Sequence, residues 1–180
     1  MNAMADVSLN RLRNIPLLAG FTDEELRQFS EVGTIRTYKP GEWVLHQGRS
    51  SQNLWIVLEG ECEVVRHGEN GDGKEVILAT LAPYDHFGEM SFFHEAPHSA
   101  GVRAKSPLKL IRISRSAYNE LIADGAMMAY KLATNTVESL ADRLRRMDDW
   151  VTRLVAEKST DHREREWNQF RQSIFSNWNL

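Results

Sequence analysis

From Thr34 to Ile113 the chain is cut by glycine and proline into short pieces, each a few residues long and rich in Thr, Ile, Val and Trp. These pieces occupy residues 34–38, 42–46, 54–59, 61–66, 74–81, 101–105 and 108–113. The breaks between them include Lys39-Pro40-Gly41, Gln47-Gly48, Glu59-Gly60 and Asn70-Gly71-Asp72-Gly73. Glycine enters the left-handed backbone region without steric cost, so these are places where a strand can reverse. Many short strands at such close spacing predict a sandwich, barrel or jelly roll. No alternation of strand and helix runs through this stretch, which argues against a parallel doubly wound sheet.

Helical signals flank the β-rich stretch on both sides. A short helix is predicted within residues 9–18, closed by Ile15-Pro16 and Gly20. A second starts at Thr22, with Glu25 three residues on as the partner of a capping box. Beyond Ser114 the period changes to helical. Tyr130, Ala133, Val137, Leu140, Leu144, Met147, Val151 and Leu154 are spaced alternately by three and four residues. That is the seam of a two-stranded coiled coil, and it predicts a homodimer formed through residues 130–154. Four regions follow: a helical lead, 1–31; a β-roll, 32–115; a long C-terminal helix, 116–158; and a short amphipathic tail, 159–180. The tail carries Trp167, Phe170, Ile174, Phe175 and Trp178, a set expected to pack within the dimer.

Composition narrows the function classes. With 22 basic and 25 acidic side chains the chain lacks the basic excess of a nucleic-acid binder, and direct nucleic-acid contact is not expected. Cys62 is the only cysteine, so no internal disulfide and no thiolate-built metal site is expected. The first residues lack the basic start and apolar run of a secretion signal, and no apolar stretch is long enough for a membrane span. A cytoplasmic protein without membrane attachment is the expectation.

One segment carries chemistry. It reads Phe87-Gly88-Glu89-Met90-Ser91-Phe92-Phe93, followed shortly by Pro97-His98-Ser99-Ala100. It resembles the phosphate-binding cassette of cyclic nucleotide-binding domains. The resemblance extends from about Leu12 to Val155 and includes Tyr38-Lys39-Pro40-Gly41-Glu42, His46-Gln47-Gly48, residues 55–64 and the run from Leu81 to Glu89, in order. It implies a mainly β fold with flanking helices, a double-stranded β-helix or jelly roll that ends in a long dimerisation helix. It also implies a ligand, cAMP or cGMP, and a regulatory rather than catalytic role. By resemblance, Phe87, Gly88, Glu89, Met90 and Ser91 form the cassette turn, with Glu89 on the ribose hydroxyl and His98 and Ser99 at the phosphate. Val76, Leu78 and Leu81 line the base or sugar pocket, and Arg143 on the closing helix stacks on a purine or meets a phosphate.

Three places depart from the family pattern, the last being the closing helix, where Asp142, Arg143 and Leu144 stand where some relatives have hydroxyl residues. His98 stands where the family has an arginine. An imidazole has at most two donors and is mostly neutral near pH 7, so the loss of a guanidinium weakens cyclic nucleotide binding by about ten- to a hundred-fold. Tyr84 stands where the family has a glycine, so either the turn differs or the tyrosine bears an unfavourable φ. Three readings stay open. The first is a sensor that signals through its C-terminal helix to its dimer mate or a protein partner. The second is a degenerate domain that binds no cyclic nucleotide and serves as a dimerising scaffold. The third, more remote, is a cupin-like metal protein using His86, His94 and His98, although the spacing of a cupin His-x-His set is absent. No nucleophile elbow or triphosphate loop occurs, so neither catalytic nor metal-binding residues are assigned.

Overall fold

A computed structural model describes residues 4, 7–68 and 74–157, the last four as helical backbone. The chain divides into two units, Met1–Thr136 and Val137–Leu180. The first holds eight strands: β1 (Thr34–Tyr38), β2 (Trp43–Leu45), β3 (Asn53–Glu59), β4 (Cys62–His67), β5 (Glu75–Leu81), β6 (His86–Phe87), β7 (Gly101–Ala104) and β8 (Leu108–Ser114). They form two four-stranded antiparallel sheets, ordered β1-β8-β3-β6 and β2-β7-β4-β5. The jelly roll that the family resemblance implies, one of the three architectures the glycine punctuation allows, is therefore present. The two-residue β6 has no counterpart among the expected runs, because a strand that short leaves no periodicity to read.

Strand alternation decides what each face of the first sheet touches. Leu54, Ile56, Leu58, Ile111 and Ile113 point to one side and join a core with Leu12, Leu26, Phe29, Phe92, Tyr118, Met128 and Leu132 from the helices. Trp55, Val57, Leu108 and Leu110 point to the other side, into the roll, where they meet Leu45, Cys62, Phe87, Val102 and Ala104. Burial pushes the Cys62 thiol up to about 12, with the Asp85 charge adding to the effect, so this cysteine behaves as a small apolar group.

The helices are α1 (Leu9–Arg13), α2 (Asp23–Val32), α3 (Glu89–Phe93), α4 (Arg115–Ala123) and α5 (Met127–Glu157), with a 3₁₀ turn at Pro16–Leu18. The predicted first helix is thus a short helix and a 3₁₀ turn, divided before Pro16. The capping box of α2 is present: Glu25 N–H donates to the Thr22 hydroxyl, and Thr22 N–H to the Glu25 carboxylate. The single helix expected over 116–158 is two, interrupted around Gly125, whose φ of 66° ends α4 in left-handed backbone. The first turns of α5 bury Met128, Ala129 and Leu132, while Tyr130 points to solvent. Farther along α5, Val137, Leu144 and Met147 are exposed. The aromatic tail and the turn at residues 70–73 lie outside the described residues.

Candidate functional site

The cassette is built around one tight turn. Asp85 N–H donates to Ala82 O at 3.0 Å, and the Asp85 carboxylate accepts from Ala82 N–H at 2.8 Å. Tyr84 occupies the third position of that turn with φ 79°, the one positive-φ residue other than glycine among the described residues. The conformation is that of a type II turn, where glycine is the usual occupant. The tyrosine bears the unfavourable φ and packs its ring against the helix-side core. Two residues of β6 follow, then Gly88 at φ 85° as the N-cap of α3. A Cβ at Gly88 would sit 2.5 Å from Asn53 O and 3.2 Å from Trp55 Cδ1, so this turn lies directly on β3. Glu89, the first residue of α3, is only 5% exposed, whereas Met90 faces solvent.

His98 is the main surprise of the site. It is 6% exposed, not a solvent-facing loop residue. Its Nε2 lies 2.8 Å from Ser51 Oγ and its Nδ1 2.9 Å from Ser91 Oγ. A neutral imidazole has one donor and one acceptor nitrogen, so the ring donates to one serine hydroxyl and accepts from the other. Burial holds its pKa below the ordinary histidine value, which keeps it neutral. The backbone fastens it further: Gly48 N–H donates to His98 O and His98 N–H to Arg49 O, each at 2.9 Å. Gly48 has φ 77°, and the pattern is that of a glycine bulge opposite His98. His98 therefore ties the cassette loop to the β2–β3 connection and to α3. Both of its ring nitrogens are engaged within the protein.

The other predicted residues separate into groups. Phe87 is buried and stacks on Trp55, with 6.2 Å between ring centroids. Ser91 is buried on His98, and Ser99 is exposed. Leu81 packs against the roll interior, while Val76 and Leu78 stand 53% and 54% exposed on β5. Arg143 lies in the second unit, on α5. Of the metal-candidate histidines, His86 and His98 are buried and His94 is exposed. Among the described residues no group of three or more His, Cys, Asp or Glu side chains is placed to hold a metal ion.

Sequence reading missed two features. Ser51, 47 positions from His98, gave no local signal. The second was visible but overlooked: no lysine or arginine occurs between Lys74 and Arg103, while Glu75, Asp85, Glu89 and Glu95 do. The cassette and its flanks carry only negative side-chain charge. Arg103 itself is engaged with Glu63 at 3.4 Å and Glu75 at 3.0 Å.

The cassette is coupled to the helices by direct contacts. Phe92 of α3 meets Tyr118 of α4 edge-on, with 5.3 Å between ring centroids. Arg115 donates to Phe92 O and lies over the rings of Phe92, Phe93 and Tyr118. The Tyr118 hydroxyl donates to Ala129 O, the third residue of α5, at 3.1 Å. Two packed side chains, Phe92 and Tyr118, thus join α3 to the start of α5.

A glycine-turned five-residue helix between β6 and β7 of an eight-stranded roll, followed in the chain by a long helix, defines a class of ligand-sensing module. The sequence pattern of the cyclic nucleotide-binding domain matches residues 35–124, half of the 180-residue chain, and the protein belongs to that family. It is 29% identical over 111 residues to a cAMP-dependent protein kinase regulatory subunit of Yarrowia lipolytica, covering 62% of this chain and 28% of that one. The solved structure of the Thermus thermophilus catabolite activator protein superposes with a TM-score of 0.68 at 32% identity, covering 77% of this chain and 62% of that one. The regulatory subunit of a cAMP-independent protein kinase A from Trypanosoma brucei superposes with a TM-score of 0.59 at 25% identity, covering 72% of this chain and 45% of that one. The chain thus spans between about a quarter and two thirds of the length of these relatives. Among the described residues no helix is long and apolar enough to cross a membrane.

Proposed function

We propose that the roll binds a cyclic nucleotide, cAMP or cGMP, and that binding is passed through α4 and α5 to a dimer mate or a protein partner. The observation that carries this reading is the cassette itself. Gly88 in left-handed backbone presses the turn onto β3, and the buried Glu89 and Ser91 are held at the start of α3. Glu89 is the acceptor for a ribose hydroxyl. Val76, Leu78 and Leu81 supply the apolar wall for the base. Ser99 and the cassette amides receive the phosphate. A ligand favours whichever α3 position it binds better, and the Phe92–Tyr118–Ala129 contacts transmit that preference to α5. The uncovered Tyr130, Val137, Leu144 and Met147 support a paired helix as the receiving element.

A second reading has its own observation. His98 is neutral and hydrogen-bonded on both sides, and no cationic side chain is provided within the cassette. A scaffold that binds no cyclic nucleotide fits that arrangement, and the Trypanosoma brucei relative is the regulatory subunit of a cAMP-independent protein kinase A.

Calorimetric titration of the full chain with cAMP and cGMP, with the His98→Arg variant in parallel, separates the two. Micromolar binding by the native chain upholds the sensor. Binding by the arginine variant alone upholds a pocket without a working phosphate clamp. Absence of heat in both supports the scaffold.

A further inference from the structure

The roll interior contains hydrogen-bond donors that no described residue accepts. Thr34, Arg112, Trp55 and Phe87 are directly opposed across β1, β8, β3 and β6, so they form one row on one face of the first sheet. That face is the inward one, because Trp55 and Phe87 belong to the roll core and Arg112 alternates with the core residues Leu108 and Leu110. Within the row the Trp55 Nε1–H and the Arg112 Nε–H are both buried and have no acceptor among the described residues. Trp55 is 5% exposed. No carboxylate among the described residues pairs with the Arg112 guanidinium, and the side chain is half-buried.

This arrangement is expensive in isolation. A buried N–H without an acceptor costs more than an ordinary hydrogen bond contributes, and a half-buried guanidinium without a counter-charge adds a desolvation penalty. Folded proteins retain few such groups, and those retained often serve a ligand. The surroundings also match an anion. The Tyr38 ring packs edge-on against Trp55 with 6.3 Å between centroids, and its hydroxyl lies within electrostatic reach of two cations, Arg36 and Arg112, and one carboxylate, Glu42. The row ends beside the cassette, since Trp55 Cδ1 lies 3.2 Å from the Cβ position of Gly88. The sheet beneath the cassette turn thus holds one cationic side chain, Arg112, with a buried N–H that no described residue accepts.

We infer that Trp55 and Arg112 form an oxyanion site in the roll, Arg112 of β8 supplying the positive charge that residues 75–102 lack and Trp55 of β3 a neutral N–H donor. As to the identity of the anion, the phosphodiester of a cyclic nucleotide, the inference rests on the function proposed above. The oxyanion chemistry itself is shared with free phosphate. An indole N–H and a guanidinium N–H on directly opposed residues offer an oxyanion two donors, one of them charged.

The test uses the ¹⁵N-labelled full chain, with the Trp55 indole resonance assigned by its loss in Trp55→Phe. cAMP, cGMP and inorganic phosphate are titrated separately. The Trp55 indole proton is expected to shift with a cyclic nucleotide, and Arg112→Gln to weaken that ligand about ten- to a hundred-fold. Arg112→Lys, which keeps charge but loses the Nε–H, is expected to fall between the two. A shift with phosphate but with neither cyclic nucleotide upholds the oxyanion site and overturns the cyclic nucleotide reading. Cyclic nucleotide binding with an unmoved Trp55 resonance and unchanged affinity in Arg112→Gln overturns the site and leaves the reading intact. No Trp55 shift with any of the three anions overturns the site, the donors then being water's. The spectra of the variants report their folding. Should Arg112→Gln not fold, the Trp55 response of the native chain decides alone.

Discussion

Replacing His98 by alanine tests whether the cassette loop is held from inside. The substitution removes two hydrogen bonds, to Ser51 at 2.8 Å and to Ser91 at 2.9 Å. Each contributes about 1 kcal/mol net, but the two losses are unequal. Ser51 is half-buried and regains water. Ser91 is 5% exposed, so its hydroxyl is left beside a small void, at a cost of about 1–3 kcal/mol. Together these give about 2–4 kcal/mol of destabilisation, which for a chain of this size lowers Tm by about 5–15 °C. Urea denaturation at pH 7.5, followed by far-UV circular dichroism, measures it. A double-mutant cycle with Ser91→Ala isolates the shared interaction: the double variant is expected to cost at least about 1 kcal/mol less than the sum of the singles. A His98→Ala cost below about 0.5 kcal/mol, or strict additivity with Ser91→Ala, would refute the reasoning and return His98 to the status of an ordinary loop residue.

Three further outcomes follow from the same geometry. Gly88→Ala forces φ 85° on a residue with a Cβ and drives that Cβ to 2.5 Å from Asn53 O; a loss of at least about 3 kcal/mol in urea unfolding is expected. His98 has a lowered pKa in the folded chain, so the unfolded chain binds the extra proton. Stability is therefore full above the unfolded histidine value of about 6.5 and falls as pH drops below it, and His98→Asn is expected to flatten the stability–pH slope between about pH 7.5 and 5. Leu144 is 61% exposed, so Leu144→Glu is expected to leave helix content unchanged while converting a dimer to a monomer in sedimentation velocity.

Local chemistry explains why most of the fold was legible. The glycines at 41, 48, 60 and 88 all have φ between 77° and 86°, and each of the first three falls at a predicted strand break. Thr22 and Glu25 form the capping box their spacing implies. Tyr84 bears a positive φ, the second of the two outcomes that its place before Asp85 left open. The missed features depend on partners distant in sequence. The burial of His98 is set by Ser51 across a bulge, and no pattern around Pro97-His98-Ser99 encodes it. The interruption near Gly125 was local and readable, but the strong heptad beyond it drew the predicted helix across it.

Arg112 shows how alternation carries information about chemistry as well as packing. In Leu108-Lys109-Leu110-Ile111-Arg112-Ile113, the positions 108, 110 and 112 share a face, and the first two are core leucines. An arginine in the third such position is either a strand-end residue reaching water or a cation retained in the interior for a partner. Its buried Nε and its direct opposition to Trp55 favour the second. The same logic explains the histidine. A cassette that clamps an anion with its own side chain needs a cation free to turn toward the ligand. His98 is instead neutral, and its bonds to Ser51 and Ser91 fix the loop that a clamp would have to move. The proposed oxyanion site would divide the work in that way, positioning to the neutral cassette and charge to Arg112.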